Sequence, residues 1–375
     1  MKAVGRSNLA DIDVFRGLAA LVVAAMHTRE VTWVGLRQFS ALNNSQVTPG
    51  SLAGYVTLPL VWGSIGVPIF FVLSGYCIHR SQAFARASCG EFQLSTGNFL
   101  LRRFFRIYPV IAGALLLTLI CDWASGHYYP TSVKLGDTSP LTFLVNLFSL
   151  QGLAGPTYGS NLPLWTLSVE VQFYLLYPVL LVMMARLGNL PTFLLLALLN
   201  AASYFVLQAH GYVLFSSFYI SWYLGALVAE GEAARMFAHR LSSPGVRAGV
   251  YALSLAGLGL GCIVFFRNQY VAFQIWAFAF AAFLFAVVNL AQPVWGWFAG
   301  FFRWLGSFSF SLYIIHVPVV VLIHSVLFHS VNQVSIVPFY ATLVAVVGCA
   351  YAFFWLFERP ALILSKRSKR QPSCG

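Results

Sequence analysis

The segment Asp13-Val14-Phe15-Arg16-Gly17-Leu18-Ala19-Ala20-Leu21-Val22-Val23-Ala24-Ala25-Met26-His27-Thr28-Arg29-Glu30-Val31-Thr32-Trp33 decides the fold. Ten uncharged, mostly aliphatic residues separate Arg16 from His27. Their length and apolarity suit a helix in a bilayer, where a span needs roughly 20 mostly apolar residues. A start of this kind also resembles a secretory signal, with Lys2 and Arg6 ahead of the apolar run and small residues at Ala24 and Ala25. Asp11, Asp13 and Arg16 interrupt the approach to that run, and many comparable runs follow. The segment therefore reads as an uncleaved first helix.

Those runs lie at about 13–33, 57–79, 100–123, 163–185, 191–209, 212–231, 248–266, 270–291, 308–329 and 334–357. Composition agrees. The chain has 375 residues, of which 59% are hydrophobic and 9% charged, whereas soluble domains are about 25% charged. A chain this apolar has too few polar groups to cover a surface facing water. Backbone groups in lipid must be satisfied within the span, which favours helices. The alternation of a membrane β-barrel is absent. The expected fold is an all-α polytopic membrane protein of about ten transmembrane helices. One membrane domain covers 1–375, with a basic tail over about 359–375 and no appended soluble domain. Leu141–Leu153 is too short to span and reads as a re-entrant or interfacial helix.

The net charge of +12 would suggest a nucleic-acid or acidic partner on a soluble protein. Here topology explains it, and no nucleic-acid partner is expected. With ten spans and a cytoplasmic start, the outer loops hold Arg29, Arg37, Lys134 and Arg267, four of the 22 Lys and Arg. The rest lie on the cytoplasmic side or near cytoplasmic helix ends, among them Arg80, Arg86, Arg186, Arg235, Arg240, Arg247 and Arg303. This asymmetry places both termini in the cytoplasm. Cys77, Cys89, Cys121, Cys262, Cys349 and Cys374 show no paired spacing, so neither a disulfide framework nor a metal site is expected.

Ionisable residues inside spans are costly, which makes each a functional candidate. Arg16 and His27 are eleven residues apart. At ~100° per residue they share one helix face, separated by ~16 Å along the axis. Arg16 alone reads equally as a snorkelling topology residue, and His27 alone as a packing residue. Their common face favours a functional path, with Asp13 beside it.

In the fourth span, Ser168, Glu170, Gln172 and Tyr174 are dense polar groups. They read as an interhelical clasp, or as Glu170 partnering an imidazole or a hydroxylated ligand. Arg102, Arg103 and Arg106 form a cluster in which Arg103 and Arg106 share a face, and Arg102 and Arg106, four apart, could also converge. It reads as a lipid-headgroup and topology signal, or as a grip for phosphates, whose geometry guanidinium forks match. In the ninth span, Tyr313 and His316 precede Pro318, which breaks the hydrogen-bond ladder. No Gly-rich nucleotide loop or Gly-x-Ser-x-Gly elbow appears.

These segments together resemble the bacterial acyltransferase-3 family of membrane O-acyltransferases. Arg16 with His27 is similar to its basic-x10-His signature. Gly66–Tyr76, which includes Ser74, resembles its second-helix motif, and Arg103-Phe104-Phe105-Arg106 its Arg-x-x-Arg pair. Trp165–Tyr174 resembles its Trp-Ser-Leu-Ser-Val-Glu-Glu-Gln-Phe-Tyr segment. Leu305–Pro318 and Phe357-Glu358-Arg359-Pro360 resemble its last two markers. Val171, Thr166 and Pro68 depart from the pattern.

The resemblance implies a multi-pass protein of the bacterial inner membrane. It would transfer an acyl group, most often acetyl, from cytoplasmic acyl-CoA to a hydroxyl of a carbohydrate or glycolipid. No permanently bound cofactor is implied, and acyl-CoA is the donor substrate. Arg102, Arg103 and Arg106 would bind its phosphates, and Arg16 would continue the path inward. His27 would deprotonate the attacking hydroxyl or carry the acyl group itself. Glu170 would orient the imidazole or the acceptor. Asp13, Ser74, Tyr174, Tyr313, His316 and Glu358 remain acceptor-side or structural candidates. A flippase for lipid-linked sugars would share the spans and the polar interior, but it commonly shows corresponding broken helices in two halves, and no such repeat is seen.

Overall fold

The computed structural model describes residues 4–42, 49–128, 135–235, 243–289 and 298–367. Lys134, Arg240, Cys374 and the end of the basic tail lie outside these residues. The described residues form helices and turns, with no strand among them. Helix α1 is Val4–Thr32 and is followed by the short α2 (Leu36–Leu42) and α3 (Pro49–Tyr55). A 3-10 segment then leads into α4 (Gly66–Cys89), α5 (Thr96–Tyr128), α6 (Pro140–Leu147) and α7 (Leu164–Leu187). Helices α8 (Asn189–Val206), α9 (Tyr219–Ala233), α10 (Pro244–Phe265) and α11 (Gln269–Asn289) follow. The chain closes with α12 (Phe298–Ser307), α13 (Ser309–Phe328), α14 (Val337–Phe353) and α15 (Arg359–Arg367).

The protein is an all-α polytopic membrane protein. Eight helices among the described residues are long and apolar enough to cross a membrane: α4, α5, α7, α8, α10, α11, α13 and α14. This is fewer than the expected ten, and two helices account for the difference. Helix α1 has the length, with 29 residues, but Arg16, His27, Arg29 and Glu30 dilute its hydropathy. Helix α9 has 15 residues, short of the ~20 of a full span. It is buried along most of its length, and the irregular backbone before it is satisfied inside the protein. The Ser217 carbonyl accepts from Asn200 Nδ2 at 2.7 Å and Gln274 Nε2 at 3.1 Å. Non-helical backbone at membrane depth is tolerated where protein encloses it in this way. Helix α6 has only 8 residues and does not span, in keeping with a re-entrant or interfacial element. Ser168 Oγ donates to the Ser149 carbonyl at 2.8 Å, which ties the turn after α6 to α7.

The bundle turns apolar side chains outward. Leu198, Phe205, Leu253, Ile263 and Val344 are all exposed, a liability in water but the normal contact with lipid. Inside, glycines permit helices to touch backbone to backbone. A Cβ on Gly75 of α4 would stand 1.9 Å from the Trp222 carbonyl of α9, and one on Gly225 would stand 1.9 Å from the Val72 carbonyl. Helices α1 and α12 meet the same way through Gly17 and Gly306. Small residues of this kind are the usual means by which membrane helices approach closely.

Proline interrupts three helices, at Pro109, Pro178 and Pro318. Pro318 cannot donate to the carbonyl four residues earlier. That carbonyl, on Ile314, is taken up instead by Asn161 Nδ2 at 2.9 Å.

If the α4–α9 contact carries the packing, Gly75→Ala destabilises the bundle by at least the ~1–3 kcal/mol of an overpacked core. The expected result is a lower melting temperature in detergent, followed by tryptophan fluorescence. Gly348→Ala is the control, since nothing lies within 4 Å of its Cβ position, and it should not lower the transition.

Candidate active site

A cavity opens between α1, α4, α5, α7 and α13. Arg16 reaches it from α1, and Arg103 and Arg106 from α5. Ser74 and Cys77 come from α4, Thr166, Glu170 and Tyr174 from α7, and Ser309 and Tyr313 from α13. Val67, Phe70, Phe71 and Ile78 make an apolar wall along α4. Three guanidiniums thus converge on one cavity with a single carboxylate among its lining residues. That excess of positive charge in a partly desolvated site suits an anion that guanidinium forks can grip, such as a phosphate.

Arg102 is not part of this lining. Its Nε donates to the Asn98 carbonyl of its own helix at 3.2 Å. The reason is angular. At ~100° per residue the cavity-facing Arg103, Arg106 and Ile107 cluster on one side of α5, and Arg102 sits roughly 90° from the centre of that face. The sequence expectation groups Arg102 with Arg103 and Arg106 as donor-phosphate ligands, and the structure brings Arg103 and Arg106 to the cavity while leaving Arg102 on the adjoining face. Arg103 lies over the Tyr174 ring, with its guanidinium carbon 5.3 Å from the centroid, and over Phe99 at 5.4 Å. These aromatic faces fix the direction of the side chain through cation–π attraction.

Glu170 is held by hydroxyls. Ser74 Oγ donates to its Oε1 at 3.1 Å, and the Tyr174 hydroxyl also donates to Oε1. Trp222 Nε1 donates in turn to Ser74 Oγ at 3.2 Å. The carboxylate therefore faces the arginine end of the path, with protein hydroxyls for hydrogen-bond partners where the sequence expectation has an imidazole or a hydroxylated ligand.

The imidazole of His27 pairs with another imidazole. His27 Nδ1 is 2.9 Å from His316 Nε2, and the two rings stack with centroids 5.1 Å apart. His316 is wholly buried. Its Nδ1 points at the Tyr313 carbonyl, 2.7 Å away, and at the Leu312 carbonyl, 3.2 Å away. Tyr313 links this pair to the cavity. Its ring lies 5.9 Å from that of His316 and 5.4 Å from that of Phe70, and its hydroxyl is 3.0 Å from Thr166 Oγ1. The arginines thus occupy one end of the α1 path and the histidines the other.

The remaining sequence candidates flank this axis. Asp13 makes a loose ion pair with Arg16 at 3.7 Å. The buried Glu358 accepts from the Ser311 amide at 3.0 Å and the Ser311 hydroxyl at 2.5 Å, so it clasps the start of α13.

The sequence reading missed the direct His27–His316 contact, the cavity thiol of Cys77 and the pinning role of Asn161. It also missed a second polar cluster. There His79 bridges the Tyr177 hydroxyl at 3.0 Å and Glu230 at 2.7 Å, and Arg80 pairs with Glu232 at 2.8 Å. The criterion that selects His27, an ionisable group inside a span, also selects His79 and Glu230.

Comparison with known proteins adds a finding of family. The family model described as an acyltransferase domain, acyltransferase-3, matches residues 9–355. The chain is 28% identical over 71% of its length to the peptidoglycan O-acetyltransferase OatA of Listeria monocytogenes, of which the match covers 46%. It is 29% identical over 69% of its length to the putative peptidoglycan O-acetyltransferase YrhL of Bacillus subtilis, covering 44% of that protein. It is 32% identical over 46% of its length to the acyltransferase MdmB of Streptomyces mycarofaciens, of which the match covers 38%. The chain spans about half the length of the first two relatives. No solved structure matches it.

Cys77 is exposed and lines the cavity, so it reports on occupancy. In a variant whose other cysteines are serine, a small maleimide should label Cys77. Desulfo-coenzyme A, which lacks a competing thiol, should slow that labelling several-fold. An unchanged rate at saturating concentration would remove the cavity as a site for that anion.

Proposed function

The chain belongs to the acyltransferase-3 family, and on that premise we propose that it transfers an acyl group, most simply acetyl, from acyl-CoA to a carbohydrate hydroxyl. The observation that carries this reading is the convergence of Arg16, Arg103 and Arg106 on one cavity whose far wall, Tyr313, leads to the His27–His316 pair. The guanidiniums hold the donor phosphates. The extended pantetheine arm runs along the Phe70 and Tyr313 side and delivers the thioester toward His27. Arg16 and His27 lie ~16 Å apart along the helix, a separation that an extended arm of this kind suits.

His27 acts as the general base. An imidazole can both take up and return a proton, which suits this role. As the acceptor oxygen attacks the thioester carbonyl, His27 takes the hydroxyl proton. The carbon–oxygen bond forms, the carbon–sulfur bond breaks, and the proton leaves with the coenzyme A thiolate. The products are an O-acyl ester and free coenzyme A. Glu170, clasped by Ser74 and Tyr174, keeps those hydroxyls oriented at the cavity wall and balances part of the guanidinium charge.

The orientation follows from charge. Arginine concentrates at the helix ends that hold Arg80, Arg86, Arg103, Arg186 and Arg303, and this asymmetry supports our reading of those ends and both termini as cytoplasmic, in a bacterial inner membrane. The donor then enters from the compartment that makes acyl-CoA. The acceptor is a surface or secreted glycan that approaches the His27 end. The names of the two peptidoglycan O-acetyltransferase relatives support a glycan acceptor.

Transfer of labelled acetyl from acetyl-CoA to glycan, in membranes and normalised to protein level, tests the reading. His27→Gln should be inactive, because an amide hydrogen-bonds but is not a base near neutral pH. Arg103→Ala and Arg106→Ala should weaken donor affinity roughly ten- to hundredfold, as loss of one charge-assisted contact does. Arg102→Ala should leave it near wild type. Substantial transfer by His27→Gln would remove His27 as the base. Reporter fusions after residue 90 should read inside and after residue 268 outside.

A further inference from the structure

The hydrogen-bond chain through the two histidines has a defined direction. A backbone carbonyl only accepts, so the His316 nitrogen 2.7 Å from the Tyr313 carbonyl, Nδ1, carries the hydrogen. In the neutral ring the other nitrogen, Nε2, then bears the lone pair. That lone pair faces His27 Nδ1 at 2.9 Å, so His27 Nδ1 is the donor. The consequence falls on the far side of His27, where Nε2 is the unprotonated, basic nitrogen. With the opposite tautomer of His316, two N–H groups would compete for one line, or His27 would have to carry its proton on Nε2 and lose its function as a base there.

We propose that His316 is the positioning residue of the reaction: it accepts the Nδ1–H of His27, holds that ring in the tautomer whose Nε2 takes the acceptor proton, and steadies the imidazolium that forms. The inference rests on the reading of His27 as general base. A third group that orients the base is a recurrent device in nucleophilic sites. Here a neutral imidazole fills the place that a carboxylate takes elsewhere. It suits a deeply buried location, because it brings no permanent charge to be desolvated. When His27 is protonated, its Nδ1–H bond to His316 becomes charge-assisted and strengthens at the moment charge develops.

His316 is itself held from several directions. Both of its carbonyl partners, on Leu312 and Tyr313, belong to the α13 turn just before it. Pro318, two residues later, leaves the Ile314 carbonyl without its helical donor, and Asn161 Nδ2 takes that carbonyl up at 2.9 Å. Asn161 Nδ2 is also 2.9 Å from Thr118 Oγ1 on α5, which fixes the amide in place. The carbonyl freed by the proline is thus re-bonded beside the ring, whose rotation would break the line to His27.

Three variants test the proposal. His316→Leu removes the acceptor, while His316→Gln keeps an amide oxygen able to accept from His27 Nδ1–H. Loss of an orienting group lowers turnover by ~10²–10⁴-fold in comparable sites. His316→Leu should fall in that range, with KM for acetyl-CoA within about twofold of wild type. His316→Gln should recover most of the loss. Protection of Cys77 by desulfo-coenzyme A shows whether each variant remains folded with its cavity intact. Wild-type kcat in His316→Leu, with His27→Gln dead, would overturn the positioning role and leave the general base standing. Activity in His27→Gln would overturn the underlying reading instead. If His316→Leu does not fold, ¹⁵N spectra of histidine-labelled wild-type protein decide. His27 protonated on Nδ1 and bare on Nε2 is the expected state, and a bare Nδ1 would contradict it.

Discussion

Ionised and titratable groups at bilayer depth survive only where protein encloses and partners them, since lipid supplies no hydrogen bonds and little dielectric screening. The bundle is organised around that constraint. Arg16, Arg103 and Arg106 open onto one interior volume. His27 lies against His316, and Glu170 and Glu358 are each clasped by hydroxyls. The outer surface, in contrast, is given to Leu, Phe, Ile and Val. The interior polarity has to be closed off, and the close glycine contacts of α4 with α9 and of α1 with α12 provide the closure. Without those contacts the helices that carry Ser74 and Arg16 would stand further from their neighbours, and water or lipid would enter beside the buried groups.

Much of this was legible in the sequence. Apolar runs fix helices in a bilayer, and the structure puts one helix in each expected run. The common face of Arg16 and His27 follows from helix geometry alone. Two spans fall short of the simple criteria for reasons that local sequence disguises. Polar residues lower the hydropathy of α1. In α9 the apolar run 212–231 includes a stretch before Tyr219 that is not α-helical, where Asn200 and Gln274 take up the Ser217 carbonyl. Hydropathy registers the apolarity of that stretch but not its lost regularity.

Individual side chains at the site were harder to assign. Arg102 adjoins Arg103 in sequence, and only the direction of the cavity, a tertiary property, separates them. Glu170 reads in the sequence as the partner of an imidazole or of a hydroxylated ligand, and nothing local points to Ser74, 96 positions away. The His27–His316 contact joins residues 289 positions apart, and both were singled out separately as buried imidazoles without a means of pairing them. Asn161 was overlooked because nothing local marks it. Asn161 lies in the loop before α7, and its role exists only once Pro318 of α13 has left a carbonyl without its usual donor.

Whether one continuous path joins the arginines to the histidines is the central question, and the most direct measurement is a cryo-electron microscopy structure with a non-hydrolysable acetyl-CoA analogue. The expected density places the phosphates against Arg103 and Arg106, runs the arm past Phe70 and Tyr313, and brings the acyl carbon beside Nε2 of His27. Phosphates bound away from the three guanidiniums, or an acyl group ending on the side of the bundle away from His27, would contradict it.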